Sequence, residues 1–132
     1  MKKKCFEFDR KVKLNYSDVV VYNGFAYLCG QMSLDPETDE CLHGTIEEET
    51  ARALSNLERV LKRIGATRED VISVTVYMKS DDDFAGFDKV YGEFFGKDFP
   101  VRTTITVKQL YDDLRIEISA IAAAPEGIWR PL

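Results

Sequence analysis

Val71-Ile72-Ser73-Val74-Thr75-Val76-Tyr77-Met78 is rich in β-branched residues and reads as a strand. Period two puts Ile72, Val74, Val76 and Met78 on one face and Val71, Ser73, Thr75 and Tyr77 on the other. Ser80-Asp81-Asp82-Asp83 follows at once and offers side-chain oxygens that cap a helix N-terminus. The helix carries an aromatic stripe, Phe84, Phe87, Val90, Tyr91, Phe94 and Phe95, at the spacing of a core-facing surface. Pro100 breaks it, and Val101–Val107 opens a second strand. A strand–helix–strand step of this length calls for a parallel pair with a right-handed crossover.

Outward from this unit the remaining elements are mostly antiparallel. Leu114–Ala123 is a last strand, separated from Val107 by six residues that include Tyr111-Asp112-Asp113, which suggests a hairpin between the final two strands. On the amino side Thr45 and Glu48 form a capping box. Ile46, Ala53, Leu54, Leu57, Val60 and Leu61 then recur at helical spacing, and Gly65 supplies a left-handed stop. Glu47, Glu48 and Glu49 complement the dipole of the first turn and need no functional explanation. Val19–Tyr22, Asn23-Gly24 and Phe25–Cys29 read as a tight hairpin, because both turn residues tolerate positive φ. Cys5–Phe8 is a short first strand. The order β-β-β-α-β-α-β-β is an α+β fold, a mixed sheet with two helices on one face. The other face keeps apolar groups such as Tyr77, and a second copy of the chain is their simplest cover.

The chain has 132 residues, 18 basic and 23 acidic side chains, a net charge of −5 and 45% apolar residues. These values suit one domain over 1–132 with a real core. No repeat or linker divides it. The longest apolar runs, Phe25–Cys29 and Ala120–Ala124, are far short of the ~20 residues that span a bilayer. The amino end holds Lys2, Lys3, Lys4, Arg10, Lys11 and Lys13 but no apolar segment of a secretory signal. That basic run is expected to be a solvated first strand rather than a nucleic-acid tail, since the net charge repels phosphate. Cys5, Cys29 and Cys41 lack CxxC spacing, and a reducing cytoplasm with free thiols is the expectation. His43 is the sole histidine and sits in a polar, glycine-containing stretch, so neither a zinc cluster nor a histidine-based triad is expected. Phosphate loops, dinucleotide fingerprints and metalloprotease motifs are absent.

The chemistry must therefore come from ordinary residues. Arg102 follows Phe99-Pro100-Val101, so its backbone is fixed and its guanidinium aimed; its planar fork matches a carboxylate. Glu117 lies in Ile116-Glu117-Ile118-Ser119, on the face opposite the two isoleucines. If the last two strands pair, Arg102 and Glu117 share a sheet edge, an anion anchor beside an acid/base. Tyr16 and Cys29-Gly30-Gln31 are weaker candidates; Gly30 would let backbone approach a ligand. Cys29 invites a nucleophile reading, though a small thiol at a strand end is more often packing.

Cys29-Gly30-Gln31, Ala53-Leu54-Ser55-Asn56-Leu57, Val90-Tyr91-Gly92-Glu93-Phe94-Phe95, Phe99-Pro100-Val101-Arg102-Thr103 and Ile116-Glu117-Ile118-Ser119-Ala120-Ile121-Ala122 together resemble the reactive intermediate deaminase family, RidA or YjgF, collinearly over roughly residues 16–123. The resemblance implies a chorismate-mutase-like fold, a homotrimer with pockets between subunits, and hydrolysis of enamines and imines such as 2-aminoacrylate to 2-oxo acids and ammonia without metal or organic cofactor. It puts the carboxylate-binding arginine on Arg102, the water-positioning glutamate on Glu117, the pocket tyrosine on Tyr16 and the pocket-lining Ser-Gly pair on Cys29 and Gly30. This sequence departs from the family pattern at Leu14-Asn15, at Cys29, at Asp88 in place of a pocket asparagine, and at Thr104 two residues after the arginine. A small carboxylate-bearing substrate is implied. A non-catalytic metabolite-binding trimer is the alternative, and it would need the arginine but not the glutamate.

Overall fold

A computed structural model describes residues 2–131. Six strands form one sheet: β1 (Lys4–Phe6), β2 (Val19–Tyr22), β3 (Phe25–Gln31), β4 (Val71–Met78), β5 (Val101–Thr106) and β6 (Ile116–Ala123). Two long helices, α1 (Ile46–Arg63) and α2 (Phe84–Phe95), pack on it and on each other. The spatial order is β1-β2-β3-β6-β4-β5.

Local chemistry explains the elements. Asn23 and Gly24 both hold positive φ, 52° and 80°, and close the β2–β3 hairpin with Tyr22 opposite Phe25. Thr45 and Glu48 exchange the two hydrogen bonds of a capping box at the start of α1. At its far end Ala66 N–H donates to the Leu61 carbonyl and Gly65 N–H to that of Lys62, with Gly65 at φ +75°. That is the paired-bond stop expected of a glycine there.

The β4–α2–β5 unit is parallel as expected, with Val74 beside Arg102 and Val76 beside Thr104. The expected hairpin between the last two strands does not form. β6 lies between β3 and β4, antiparallel to both, and β4 separates it from β5. The reason is burial. β6 alternates fully buried residues with half-exposed ones, so it belongs in the middle of the sheet. β5 buries no residue completely and, with its threonines, suits an edge.

A second correction concerns β4. Val71 is buried and Ile72 is 43% exposed, the reverse of strict alternation. Val71 pairs with Ala122 and Ser73 with Ile121, so Ile72 is an extra residue in a bulge that flips the phase. Other bounds move by a few residues: the first strand is Lys4–Phe6 rather than Cys5–Phe8, β3 runs on to Gln31, and β6 starts at Ile116.

The core lies between the helices and one sheet face: Leu54, Leu57 and Leu61 of α1, Phe87 and Tyr91 of α2, and Ile116 and Ile118 of β6 are among its members. The opposite face is open. Phe25 and Tyr27, 39% and 45% exposed, lie on it beside Ala123 and Ile121. Among the described residues, no helix is long and apolar enough to cross a membrane.

Candidate functional site

The seven residues singled out from the sequence fall into two groups, and the sheet divides them. Arg102, Thr104 and Asp88 lie together on the helix-covered side, at the β5 edge. Glu117, Gly30, Cys29 and Tyr16 lie together at the other end of β6 and β3.

The first group is built on α2. Arg102 points back over the helix, its guanidinium carbon 5.7, 5.1 and 4.7 Å from the ring centres of Phe84, Phe87 and Tyr91. Aromatic faces attract a cation and hold its plane. Its Nη1 donates to Asp88 Oδ1 at 2.8 Å. Two hydroxyl oxygens near it, Tyr91 Oη and Thr104 Oγ1, are buried with no hydrogen-bond partner. Burial pushes the Tyr91 phenol up to about 12, so it is a neutral donor at pH 7. The aromatic stripe of α2, expected to be core throughout, is therefore partly a bed for Arg102. Phe84, at one end of it, is 41% exposed.

The second group is built on a bulge. Leu28 pairs with Ala120 but Gln31 with Ile118, so β3 carries one extra residue at Cys29-Gly30. The bulge brings the Gly30 backbone under Glu117. A Cβ at position 30 would lie 2.2 Å from Glu117 Oε2. Glu117 is half-buried on the face away from Ile116 and Ile118, as period two demands. Its carboxylate makes no hydrogen bond among the described residues, and burial raises its pKa above the ordinary glutamate value. A carboxyl held this way takes up a proton more readily than an exposed glutamate, which suits an acid/base role.

Cys29 and Tyr16 complete this group. Burial first, then the Asp18 carboxylate, push the Cys29 thiol up to about 11. The thiol is protonated at neutral pH, which removes the basis for a nucleophilic role. Tyr16 is 57% exposed in an open cleft of about 1050 Å³ that Arg10, Leu14, Met32, Leu34 and Tyr111 also line. Burial and the neighbouring Cys29 raise its phenol above the ordinary value.

The sequence reading missed two residues here. Asp18 is 3% exposed and accepts from Phe8 N–H at 2.8 Å and from Arg10 Nη1 and Nη2 at 2.6 and 2.7 Å. Asp18 holds Arg10 firmly protonated. Arg10 is thus the clamp of the segment carrying Tyr16, not part of a solvated basic run. The signal was an aspartate directly before Val19-Val20-Val21, at a position the strand buries.

Arg102 and Glu117 do not meet within one protomer. Arg102 is level with Val74 of β4 and Glu117 with Tyr77. That is about 10 Å along the strands and another ~10 Å across the two strand spacings between β5 and β6. Their side chains also leave opposite faces of the sheet. The shared edge expected from a terminal hairpin is therefore overturned, because β4 stands between the strands. His43 lies on an exposed loop, with Nε2 2.7 Å from the Asp112 carbonyl oxygen. Among the described residues, no cluster of three or more His, Cys, Asp or Glu is placed to hold a metal ion.

Comparison with known proteins gives a consistent picture. The endoribonuclease L-PSP family profile matches residues 9–124. A RutC family protein of Pyrococcus abyssi is 41% identical over 107 residues, 81% of this chain and 84% of the relative. A 2-iminobutanoate/2-iminopropanoate deaminase of Dermatophagoides farinae is 34% identical over 106 residues, 80% of this chain and 83% of its own. The crystal structure of a candidate endoribonuclease from Thermotoga maritima superposes with a TM-score of 0.85 at 40% identity, over 93% of this chain and 98% of that one.

Proposed function

The chain belongs to the endoribonuclease L-PSP family, which includes the RidA, YjgF and RutC proteins, and on that premise we propose that it hydrolyses small 2-imino acids, and the enamines that tautomerise to them, to 2-oxo acids and ammonia. The observation that carries this reading is the pair of half-sites: an arginine with free donors on an aromatic bed, and a half-buried glutamate of raised pKa with no protein partner. The names of relatives such as the mite deaminase support the same chemistry.

The division of labour follows from the groups. Arg102 spends one N–H on Asp88; its remaining donors bind the substrate carboxylate. Glu117 orients a water molecule, accepts its proton as the oxygen adds to the imine carbon, and returns a proton to nitrogen as ammonia leaves. Water supplies the oxygen of the 2-oxo acid and the two hydrogens that ammonia needs. Tyr16 closes the cleft and hydrogen-bonds the reacting centre. An imine carbon is already electrophilic, so orientation with acid/base help suffices.

A complete site needs two copies. Burying the open face, with Phe25, Tyr27, Tyr77 and Ile121, against a neighbour is favourable at about 25 cal/mol per Å² of apolar surface. It also lets Arg102 of one copy approach Glu117 of the next. A homotrimer is the assembly we propose, acting in the cytoplasm, where the free Cys5, Cys29 and Cys41 stay reduced. The family's ribonuclease name has less support in this chain: the net charge is −5 and the one histidine sits on a remote loop.

The test is the rate of loss of imines generated by an amino-acid oxidase, with light scattering on the same samples. Wild type should accelerate the loss, Arg102→Ala should abolish it, and Arg102→Lys should remain severely impaired because it loses the planar fork. Glu117→Gln should lower turnover while 2-oxo acid affinity survives. Silence of Arg102→Ala would refute the anchor. Silence of Glu117→Gln alone would make the protein a metabolite-binding assembly rather than a deaminase.

A further inference from the structure

We propose that Asp88 makes this site selective for ligands with a single negative charge: 2-imino and 2-oxo monocarboxylates with neutral or basic side chains, and not dicarboxylates. The inference rests on Arg102 as the carboxylate anchor and adds the substrate class that the anchor admits.

Asp88 is the only carboxylate within 4 Å of Arg102 among the described residues, and its side chain is half-exposed beside the guanidinium. It binds through Oδ1 to Nη1 alone, so among the described residues Oδ2 has no donor and Arg102 Nε and Nη2 have no acceptor. A ligand carboxylate can seat on those free donors without displacing Asp88. It then shares one positive charge with a second carboxylate already in place.

The wider charge balance points the same way. Arg10, on the segment that carries Tyr16, is already held by Asp18 in a bidentate pair. Among the described residues Glu117 has no ion-pair partner within 4 Å, and Asp88 has Arg102 alone. A second carboxylate on the ligand would find no unpaired positive partner and would be repelled. A neutral side chain pays no such penalty, and a hydroxyl or ammonium can donate to Asp88 Oδ2. The exposed ring of Phe84 favours the apolar members of this class.

The decisive measurement is calorimetric affinity for 2-oxohexanoate and 2-oxoglutarate, similar in length and different by one terminal charge. A unit charge roughly 6–7 Å from Asp88 in a half-exposed site is worth about tenfold in binding. Wild type should therefore prefer 2-oxohexanoate by about tenfold. Asp88→Asn keeps the shape and the bond to Arg102 but removes the charge, so the preference should shrink to about twofold. Asp88→Glu keeps the charge and should keep the preference. Equal affinities in wild type, an undiminished gap in Asp88→Asn, or an Asp88→Glu variant that behaves like Asp88→Asn would each overturn the inference while leaving the anchor intact. Failure of wild type and Asp88→Asn to bind either acid would overturn the anchor itself, and this inference with it.

Discussion

Gly30→Ala tests the tie between the β3 bulge and Glu117. The added Cβ would sit 2.2 Å from Glu117 Oε2, 2.6 Å from Cδ and 2.9 Å from Cγ. Ordinary contact begins near 3.4 Å, so the carboxylate must retreat by about 1.2 Å. The Cγ contact means that rotating the carboxylate tip is not enough and the side chain must leave its rotamer. Such a move costs about 0.5–1.5 kcal/mol. The backbone at Gly30 is not in the left-handed region, so alanine there also gains about 0.4–1 kcal/mol by restricting the unfolded chain. The two terms nearly cancel, and Tm should move by no more than a few degrees. Catalysis should not escape, because displacing a reacting group by ~1 Å costs on the order of a hundredfold. The assay pairs initial rates of imine loss with thermal melts of the same samples. A Gly30→Ala protein that keeps the wild-type rate would refute the tie between Gly30 and Glu117 and the part of Glu117 in the reaction, whatever its Tm.

Glu117→Gln should stabilise the protein at pH 7–8 and leave it unchanged near pH 4. A carboxyl whose folded pKa is raised binds protons more tightly in the native state, so stability falls as pH climbs through the interval above the ordinary glutamate range; melts of both proteins across pH would show the gap open, and parallel curves would contradict it. Iodoacetamide at pH 7.5 should modify Cys29 far more slowly than the exposed Cys5, since a thiol held at about 11 has little thiolate; equal labelling by peptide mass spectrometry would show the burial is wrong. Tyr27→Asp, placed on the open sheet face, should reduce the mass seen by light scattering and lower activity while circular dichroism stays native; an unchanged mass would show that this face is not where copies meet.

Much of this architecture could be read from local chemistry. Asn23-Gly24 dictates its hairpin, Thr45 and Glu48 their cap, and Gly65 the stop of α1, because each acts over four or five residues. The strand–helix–strand step gave the parallel β4–β5 pair because a helix of that length returns the chain to the same end of the sheet. What local chemistry could not show was where β6 inserts. Tyr111, Asp112 and Asp113 carry turn chemistry, and Asp112 and Asp113 do adopt positive φ. A turn, however, fixes only a change of direction, and the neighbour of the returning strand is chosen by how deeply each strand must bury. Ile116, Ile118, Ala120 and Ala122 need cover that the β5 edge cannot give. The same limit governs the site. Gly30 and Glu117 were identifiable separately, but their contact depends on a one-residue bulge across β3 and β6. Asp18 and Arg10 escaped notice because an isolated aspartate and a basic run look solvated until the tertiary contact is seen.

The separation of Arg102 and Glu117 by β4 has a genetic meaning. In an assembly whose sites each draw the arginine from one subunit and the glutamate from its neighbour, Arg102→Ala and Glu117→Gln damage different partners in the same transaction. Each variant alone leaves every site broken. Co-expressed in equal amounts and mixed at random, they rebuild about one site in four with both native groups, because each native half is drawn with even odds. Two inactive alleles would then complement one another in a single cell, and they would do so only as subunits of one particle.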